Sequence, residues 1–369
     1  MKSHGKASMS DFVEDHMLYR SLVPMDPRLQ GFRPQGSAPR KHEPAYAQLV
    51  AGLLRQARQL TAPGVQLERL VFVGDTRMSD AGAFNNLCQA GGWQGAAFIG
   101  AEDKEPVKLE RAATERGFPL FLGNRWSLLA EFDHRLQALG FPIDEATAVI
   151  LDMDKTTLGA RGRNAGVIDR ARLLAVHQTV AGLIGDQFDA AAFQRAYQHL
   201  GHASFHPFTA DNQDYLAYIC LILGSGLYEL KDLVERFESG SLRTFEQFIG
   251  EVDRSAGRLP AGLVNIHAEI YANVRASDPT PFKPFRRNEY RTTAALLGCL
   301  PDNTPAEDLL RDEIVLTAEV RAVALAWKSL GALIFGLSDK PDEASVPTPE
   351  LAAQGWMPLH RVRTHAVGE

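Results

Sequence analysis

Four aspartates cluster at the ends of two short apolar runs. RLVFVGD, residues 69–75, ends at Asp75 and is followed by Asp80; AVILDMD, residues 148–154, ends in Asp152 and Asp154. If these runs are strands of one parallel sheet, their carboxylates meet at the rim where open α/β sheets place their ligands. Carboxylates brought together repel one another unless a cation lies among them, and an oxygen-only donor set without nearby His or Cys suits Mg²⁺. A third run, ALIFGLS at 332–338, delivers Ser338 to the same rim, with Lys340 two residues later. A hydroxyl and an ammonium beside acids and a divalent cation suit a phosphoryl group. A lone D-x-D after a strand reads as ordinary turn chemistry; three matching strand ends weigh against that reading.

These positions depend on alternating helices and strands. The spacing of Leu49, Leu53, Leu54 and Ala57 predicts a helix over 45–60, broken by Pro63-Gly64. RLVFVGD, AAFIG, PLFLG and TAVILDMD read as strands, the first and last being continuous apolar runs of the kind buried in parallel sheets. Helices are expected at Ser79–Ala90, at Pro106–Arg116 and over Leu128–Leu139, the last stopped by Gly140. From Asn164 the pattern is helical for roughly 150 residues, a full domain's length, with Phe188–Leu200, Asp211–Leu223, Leu227–Ser239, Thr244–Ala256 and Ala261–Val274 as its helices. Alternation then resumes with a helix over Asp312–Ser329, ALIFGLS, a short helix near Pro349–Gln354 and a final strand in PLHRVRTHAV. The expected architecture is α/β: a Rossmann-like parallel sheet core at 45–163 and 312–369, with a large all-helical insertion at 164–311. Residues 1–44 hold Pro24, Pro27, Pro34 and Pro39 without a sustained period, and read as an extended N-terminal arm.

The chain has 369 residues, 45 Asp+Glu against 39 Lys+Arg, and 45% hydrophobic residues. That composition supports packed cores and excludes wholesale disorder. A formal charge of −6 argues against tracking nucleic-acid phosphates. Cys88, Cys220 and Cys299 lie too far apart for a disulfide framework or a paired-cysteine zinc site, and read as thiols in a reducing compartment. The N-terminus has no apolar signal-peptide core, and no apolar run is long enough to span a bilayer. The expected protein is cytoplasmic, with a small-molecule partner, no nucleic acid and no membrane, and its arm or cap offers a surface for self-association.

The motifs carry a resemblance. VILDMDKTTLGARG resembles the first motif of the haloacid dehalogenase-like (HAD) hydrolase superfamily, a strand followed by D-x-D-x-T. GALIFGLSDKP is similar to its second motif, with Lys340 in the role of the third-motif lysine, and LVFVGDTRMSD resembles its fourth. The fourth motif comes first here, which a circular permutation explains; the new ends then fall between the third and fourth strands of the usual order, and PLHRVRTHAV becomes the displaced third strand. The resemblance covers residues 65–163 and 312–369, and the helical insertion takes the place of a C1-type cap.

The resemblance implies a Mg²⁺-dependent phosphatase acting on a small organic phosphate monoester. Asp152 would attack phosphorus to form an aspartyl-phosphate, and Asp154 would protonate the leaving alkoxide and later take a proton from water. Mg²⁺ would be held by Asp152, the backbone carbonyl of Asp154, and Asp75 or Asp80. Ser338 would hydrogen-bond a phosphoryl oxygen and Lys340 would orient Asp152; Thr156 or Thr157 would donate to the phosphoryl group or stabilise the loop. Lys155 stands where many relatives carry glycine. A phosphotransferase or phosphomutase keeps the same residues, and a noncatalytic binding protein on the same fold is the alternative from another class.

Three further stretches carry charge or metal-binding side chains. Arg286 and Arg287, in the proline-rich run 278–291, read either as a loop closing on an anionic substrate or as a solvated connection. GARGRNAG, residues 159–166, reads as a flexible link whose Arg161 and Arg163 either meet substrate or face solvent. His199, His202 and His206 are spaced for a transition-metal site but read better as incidental histidines.

Overall fold

The computed structural model describes residues 1–29, 38–41, 43–210 and 212–369. Pro34 of the expected arm and Asp211 of the expected helix lie outside them. The chain forms two compact units, Met1–Arg170 with Thr293–Glu369, and Ala171–Thr292.

The first unit is a mixed α/β body with ten strands among its described residues: β1 (Lys2–Ala7), β2 (Met17–Leu18), β3 (Arg69–Gly74), β4 (Gln94–Gly100), β5 (Leu109–Ala113), β6 (Pro119–Gly123), β7 (Thr147–Asp152), β8 (Leu316–Thr317), β9 (Leu333–Leu337) and β10 (Thr364–Gly368). Seven of them form one sheet in the order β2-β9-β7-β3-β4-β6-β5, parallel throughout except for the β5–β6 pair at the edge. β3, β7 and β9 are central or nearly so, which is why their sequences are continuous apolar runs: both faces are covered. On one face Leu70, Phe72, Ile150 and Phe335 pack under the helices Pro44–Thr61 and Ser79–Gly91. On the other, Phe98, Phe121, Phe132, Trp126 and Trp327 form an edge-and-tilt aromatic chain with centroids 5.2–6.4 Å apart, on and beside the helices Leu128–Ala138 and Ala318–Ser329.

Several expectations are corrected. Residues 106–116 form no helix; β5 lies there, an exposed edge strand pairing antiparallel to β6. Its largely exposed residues, with Glu110 and Arg111 on the outside, suit a solvated edge strand. The segment PLHRVRTHAV does not enter the main sheet: β10 joins a separate three-stranded sheet, order β1-β10-β8. The outer place beside β9 is taken by β2. The described part of the arm is thus built into both sheets, with Phe12, Met17, Leu18 and Tyr19 fully buried and the His16 ring stacked 4.8 Å from Phe335. Residues 293–311, read as part of the insertion, belong to the first unit, where Gly298 and Leu300 are bonded to Thr364 and Glu313.

Among its described residues the second unit contains helices and no strand. The helices Ala190–Leu200, Gln213–Gly224, Leu230–Glu238, Phe245–Arg254 and Ala261–Arg275 enclose a core of Tyr218, Phe208, Phe245, Phe248 and Ile270 among others. The stretch read as a proline-stiffened loop holds the helix Lys283–Ala295 instead. Pro284 sits in its first turn, where a missing N–H costs nothing because that donor has no intrahelical partner.

Candidate functional site

The main sheet brings Asp75, Asp80 and Asp152 together, with one carboxylate oxygen of each within 4.8 Å of the others and all three residues buried. Among the described residues this is the one such group of potential metal ligands. Asp152 ends β7 and Asp75 follows β3; these strands are hydrogen-bonded neighbours, so their carboxyl ends deliver the two acids side by side. Asp80 arrives from the first turn of the helix Ser79–Gly91, where a negative charge is favoured by the helix dipole. Gly74 makes its approach possible: a Cβ at that position would lie 2.7 Å from Cβ and Oδ2 of Asp80.

Asp80 is firmly held. Its Oδ2 accepts from the backbone N–H of Asp75 at 3.0 Å, and from the N–H and hydroxyl of Thr76 at 2.9 and 2.8 Å. Burial alone would raise its pKa, but the charge of Lys41 and these hydrogen bonds hold it below the usual carboxylate value. Asp152 accepts from the Thr156 hydroxyl on Oδ2 at 3.1 Å, and its main-chain carbonyl accepts from the Thr157 hydroxyl at 2.7 Å. Thr156 and Thr157 are fully buried, so their hydroxyls fasten Asp152 and its turn. For Asp152 burial outweighs the opposing charge of Lys41, and with repulsion from Asp80 and Asp75 it pushes the carboxyl well above the usual range. Asp75 is pushed up to about 6 by burial and by Asp80, against the Arg161 guanidinium bonded to its Oδ2.

The cation inside this cluster is Lys41, a residue that sequence reasoning passed over. Its Nζ donates to Asp152 Oδ1 at 2.8 Å and to Asp80 Oδ1 at 3.0 Å, while Asp339 Oδ2 stands 3.8 Å away. The side chain is only 5% exposed. An ammonium beside Asp152, the role expected of Lys340, is thus supplied by Lys41. Lys340 is also buried; its backbone N–H donates to Ser338 Oγ at 3.0 Å and its carbonyl accepts from Arg20. Ser338 Oγ in turn donates to Asp154 Oδ2 at 3.1 Å, so the second acid of the D-x-D and the serine ending β9 are in direct contact.

The turn after β7 has a defined shape. Lys155 has φ of +62°, the left-handed region that favours glycine and costs an L-residue roughly 1–2 kcal/mol. Its ammonium pairs with Asp169. The turn is pinned to β8 by Thr317, which donates through its hydroxyl to the Thr156 carbonyl at 2.6 Å and through N–H to that of Thr157 at 2.9 Å.

GARGRNAG is tied down at several of its residues rather than left as a free linker. Gly162, at φ +80°, sits so close to residue 102 that a Cβ would lie 2.0 Å from the Glu102 carbonyl oxygen. Arg163, 2% exposed, is clasped between Glu102 and Glu319 at 2.7 and 2.8 Å. Arg161 lies on Asp75, and its carbonyl accepts from Glu102 N–H and Trp126 Nε1.

The remaining candidates lie elsewhere. Arg286 is buried within the helical unit, donating to Asp214 at 2.7 Å and to Glu289 at 2.6 Å, both carboxylates fully buried. Arg287 is exposed on the same helix. His199 and His202 are exposed, and the three histidines form no metal-binding group among the described residues. Among the described residues no helix is long and apolar enough to cross a membrane. Compared with known proteins, the chain matches no family model, no curated protein and no solved structure.

Proposed function

We propose that this protein is a HAD-like phosphohydrolase that cleaves organic phosphate monoesters through an aspartyl-phosphate on Asp152. The observation that carries this reading is the buried carboxylate of Asp152 at a strand end, oriented by the Lys41 ammonium 2.8 Å away and flanked by Asp75 and Asp80. A strand-end acid held in this way is aimed at whatever approaches the sheet rim. The contact between Ser338 and Asp154 supports the grouping of the remaining motif residues with it.

In this reading an Asp152 oxygen attacks phosphorus in line; an Asp–O–P bond forms and the ester P–O bond breaks. The leaving oxygen takes a proton from Asp154, which then removes one from the water that cleaves the aspartyl-phosphate, returning both acids to their starting states. Lys41 replaces Lys340 as the orienting ammonium, and Ser338 donates to a phosphoryl oxygen. The buried, oxygen-only donor set of Asp75, Asp80 and Asp152 fits Mg²⁺, with the Asp154 carbonyl as a further ligand. Bound there, the ion supplies charge neutralisation to nucleophile and phosphoryl oxygens.

The placement of Lys41 also bears on the permutation. A lysine, then the helix Pro44–Thr61, then β3 with its G-D give the order lysine, fourth motif, first motif, second motif. On this order the chain opens between the second and third motifs, one step earlier than PLHRVRTHAV suggests.

The test is phosphate release from a panel of phosphometabolites by wild type and Asp152→Asn, each with Mg²⁺ and with EDTA. Activity on at least one ester, abolished by the substitution and by chelation, is the expected result. Equal turnover by the two proteins would overturn the proposal, and transfer to an added alcohol in place of phosphate release would redirect it to a phosphotransferase.

A further inference from the structure

A cavity of about 720 Å³ opens beside the acidic cluster, and Asp75 is one of its lining residues. Its other walls come from the rim of β4 and β6 and from the excursion between β4 and β5, all within the first unit. The size falls within the range of roughly 300–1,000 Å³ that holds small-molecule ligands. A three-carbon leaving group would leave most of it unfilled.

The lining decides what kind of molecule suits it. Ile99, Ala101, Pro106, Val107 and Leu122 provide an apolar surface. Of the polar groups around it, Asn124 and Asp103 are committed to one another and to nearby groups and Lys108 pairs with Glu110 at the surface, while the Glu105 carboxylate is open to solvent. Asn124 donates to Asp103 and to the Pro106 carbonyl and accepts from Lys108 N–H; Asp103 also accepts from Arg125 and from Glu105 N–H; Lys108 pairs with Glu110. A sugar or polyol placed here would exchange water for few available partners, and unpaired buried hydroxyls are costly. An apolar or aromatic body loses nothing of that kind and gains burial of its own surface and of Val107, which is 65% exposed. Arg77, in the loop between Asp75 and Asp80, lines the cavity and is exposed, and its guanidinium has no ion-pair partner among the described residues. It puts a cation on the side of the cavity nearest the acids.

We infer that this cavity is the subsite for the leaving group of the substrate, and that it selects phosphate esters with an apolar, aryl-sized organic body over sugar and polyol phosphates. The inference rests on the phosphate-ester reading above for the phosphoryl end and on the cavity's own lining for the organic end. Val107 is a specificity residue in this scheme: it touches the organic body and no reacting atom.

The experiment uses the full chain carrying Asp152→Asn, so that ester is bound and not consumed. Titration with 4-methylumbelliferyl phosphate and with glycerol 2-phosphate is repeated after adding Val107→Asp, a change at an exposed side chain that leaves the fold intact. The aryl ester is expected to bind more tightly than the glycerol ester, and Val107→Asp to weaken it about tenfold while changing glycerol phosphate less than about twofold. Equal effects on both esters, no effect on either, tighter binding of glycerol phosphate, or no binding of the aryl ester would each overturn the subsite. Turnover of the aryl ester by protein with Asp152 intact is measured separately. Its absence beside Val107-sensitive binding would overturn the phosphatase reading and leave the subsite standing.

Discussion

Replacing Lys41 with methionine preserves the length of the side chain and removes its charge. Asp152 and Asp80, 5% and 2% exposed, would then face each other without the shared ammonium. Asp80 keeps three donors from Asp75 and Thr76, and the side chain of Asp152 keeps the Thr156 hydroxyl, but both lose the shared ammonium. Asp339 contributes little, being 45% exposed and 3.8 Å from Nζ. Breaking a buried ion pair by deleting one partner costs roughly 3–5 kcal/mol, and that is the loss expected at pH 7 from urea unfolding of Lys41→Met.

The pH dependence separates this cause from lost packing. In wild type the Lys41 charge helps hold the Asp80 carboxyl below its ordinary value; with the ammonium gone, burial and the facing Asp152 raise it above the unfolded value of about 3.9, and the folded variant binds protons that the unfolded chain releases. The variant therefore loses stability as pH rises from about 4 toward 7, and its deficit against wild type shrinks in acid. In wild type, burial opposes the Lys41 charge, but Asp152 and Asp80 outweigh it and hold the lysine well above its ordinary value. Its contribution is thus fully present below the unfolded lysine value of about 10.4 and is lost as pH climbs through the higher folded one. Adding Asp80→Asn should restore part of the loss by removing one uncompensated charge. A deficit below about 1 kcal/mol, or one unchanged between pH 4 and 7, would refute the reasoning.

Asp75→Asn should stabilise the protein in EDTA at neutral pH. A carboxyl pushed up to about 6 by burial and by Asp80 costs the folded wild type as it ionises, by at most roughly 3 kcal/mol, so the variant's advantage in melting experiments should appear above pH 4 and level off above 6. Gly74→Ala puts a methyl 2.7 Å from the Asp80 carboxylate and should cost about 1–3 kcal/mol in denaturant unfolding, together with any phosphatase activity. Arg286→Met removes the one ion-pair partner of the fully buried Asp214 among the described residues, while Glu289 keeps Arg172, and should cost roughly 3–5 kcal/mol. A substitution there that left stability unchanged would argue that Arg286 serves a ligand instead.

The strand ends were legible because a fully covered parallel strand writes itself as an unbroken apolar run, and Asp75, Asp152 and Ser338 follow such runs directly. Lys41 was not, since it lies outside any periodic segment and its importance comes from a contact 111 residues away. Burial of charge was equally hidden: Arg163 reads as a solvated linker residue until Glu102 and Glu319, from distant segments, close around it. The edge strand β5 and the helix Lys283–Ala295 are hidden in the sequence because their prolines and charges resemble loop or helix-face composition, whereas pairing with β6 and a tolerated first-turn proline decide the outcome. The six-residue β1 and the two-residue β2 have no pattern of their own; they are strands because β10 and β9 offer them an edge.

The most direct measurement is mass spectrometry of the acid-quenched protein during turnover of its preferred phosphate ester with Mg²⁺. The account predicts one phosphoryl group on the peptide containing Asp152, absent from Asp152→Asn and from samples quenched after the ester is exhausted. Steady turnover with that peptide unmodified, or a phosphoryl group carried by a different residue, would contradict it.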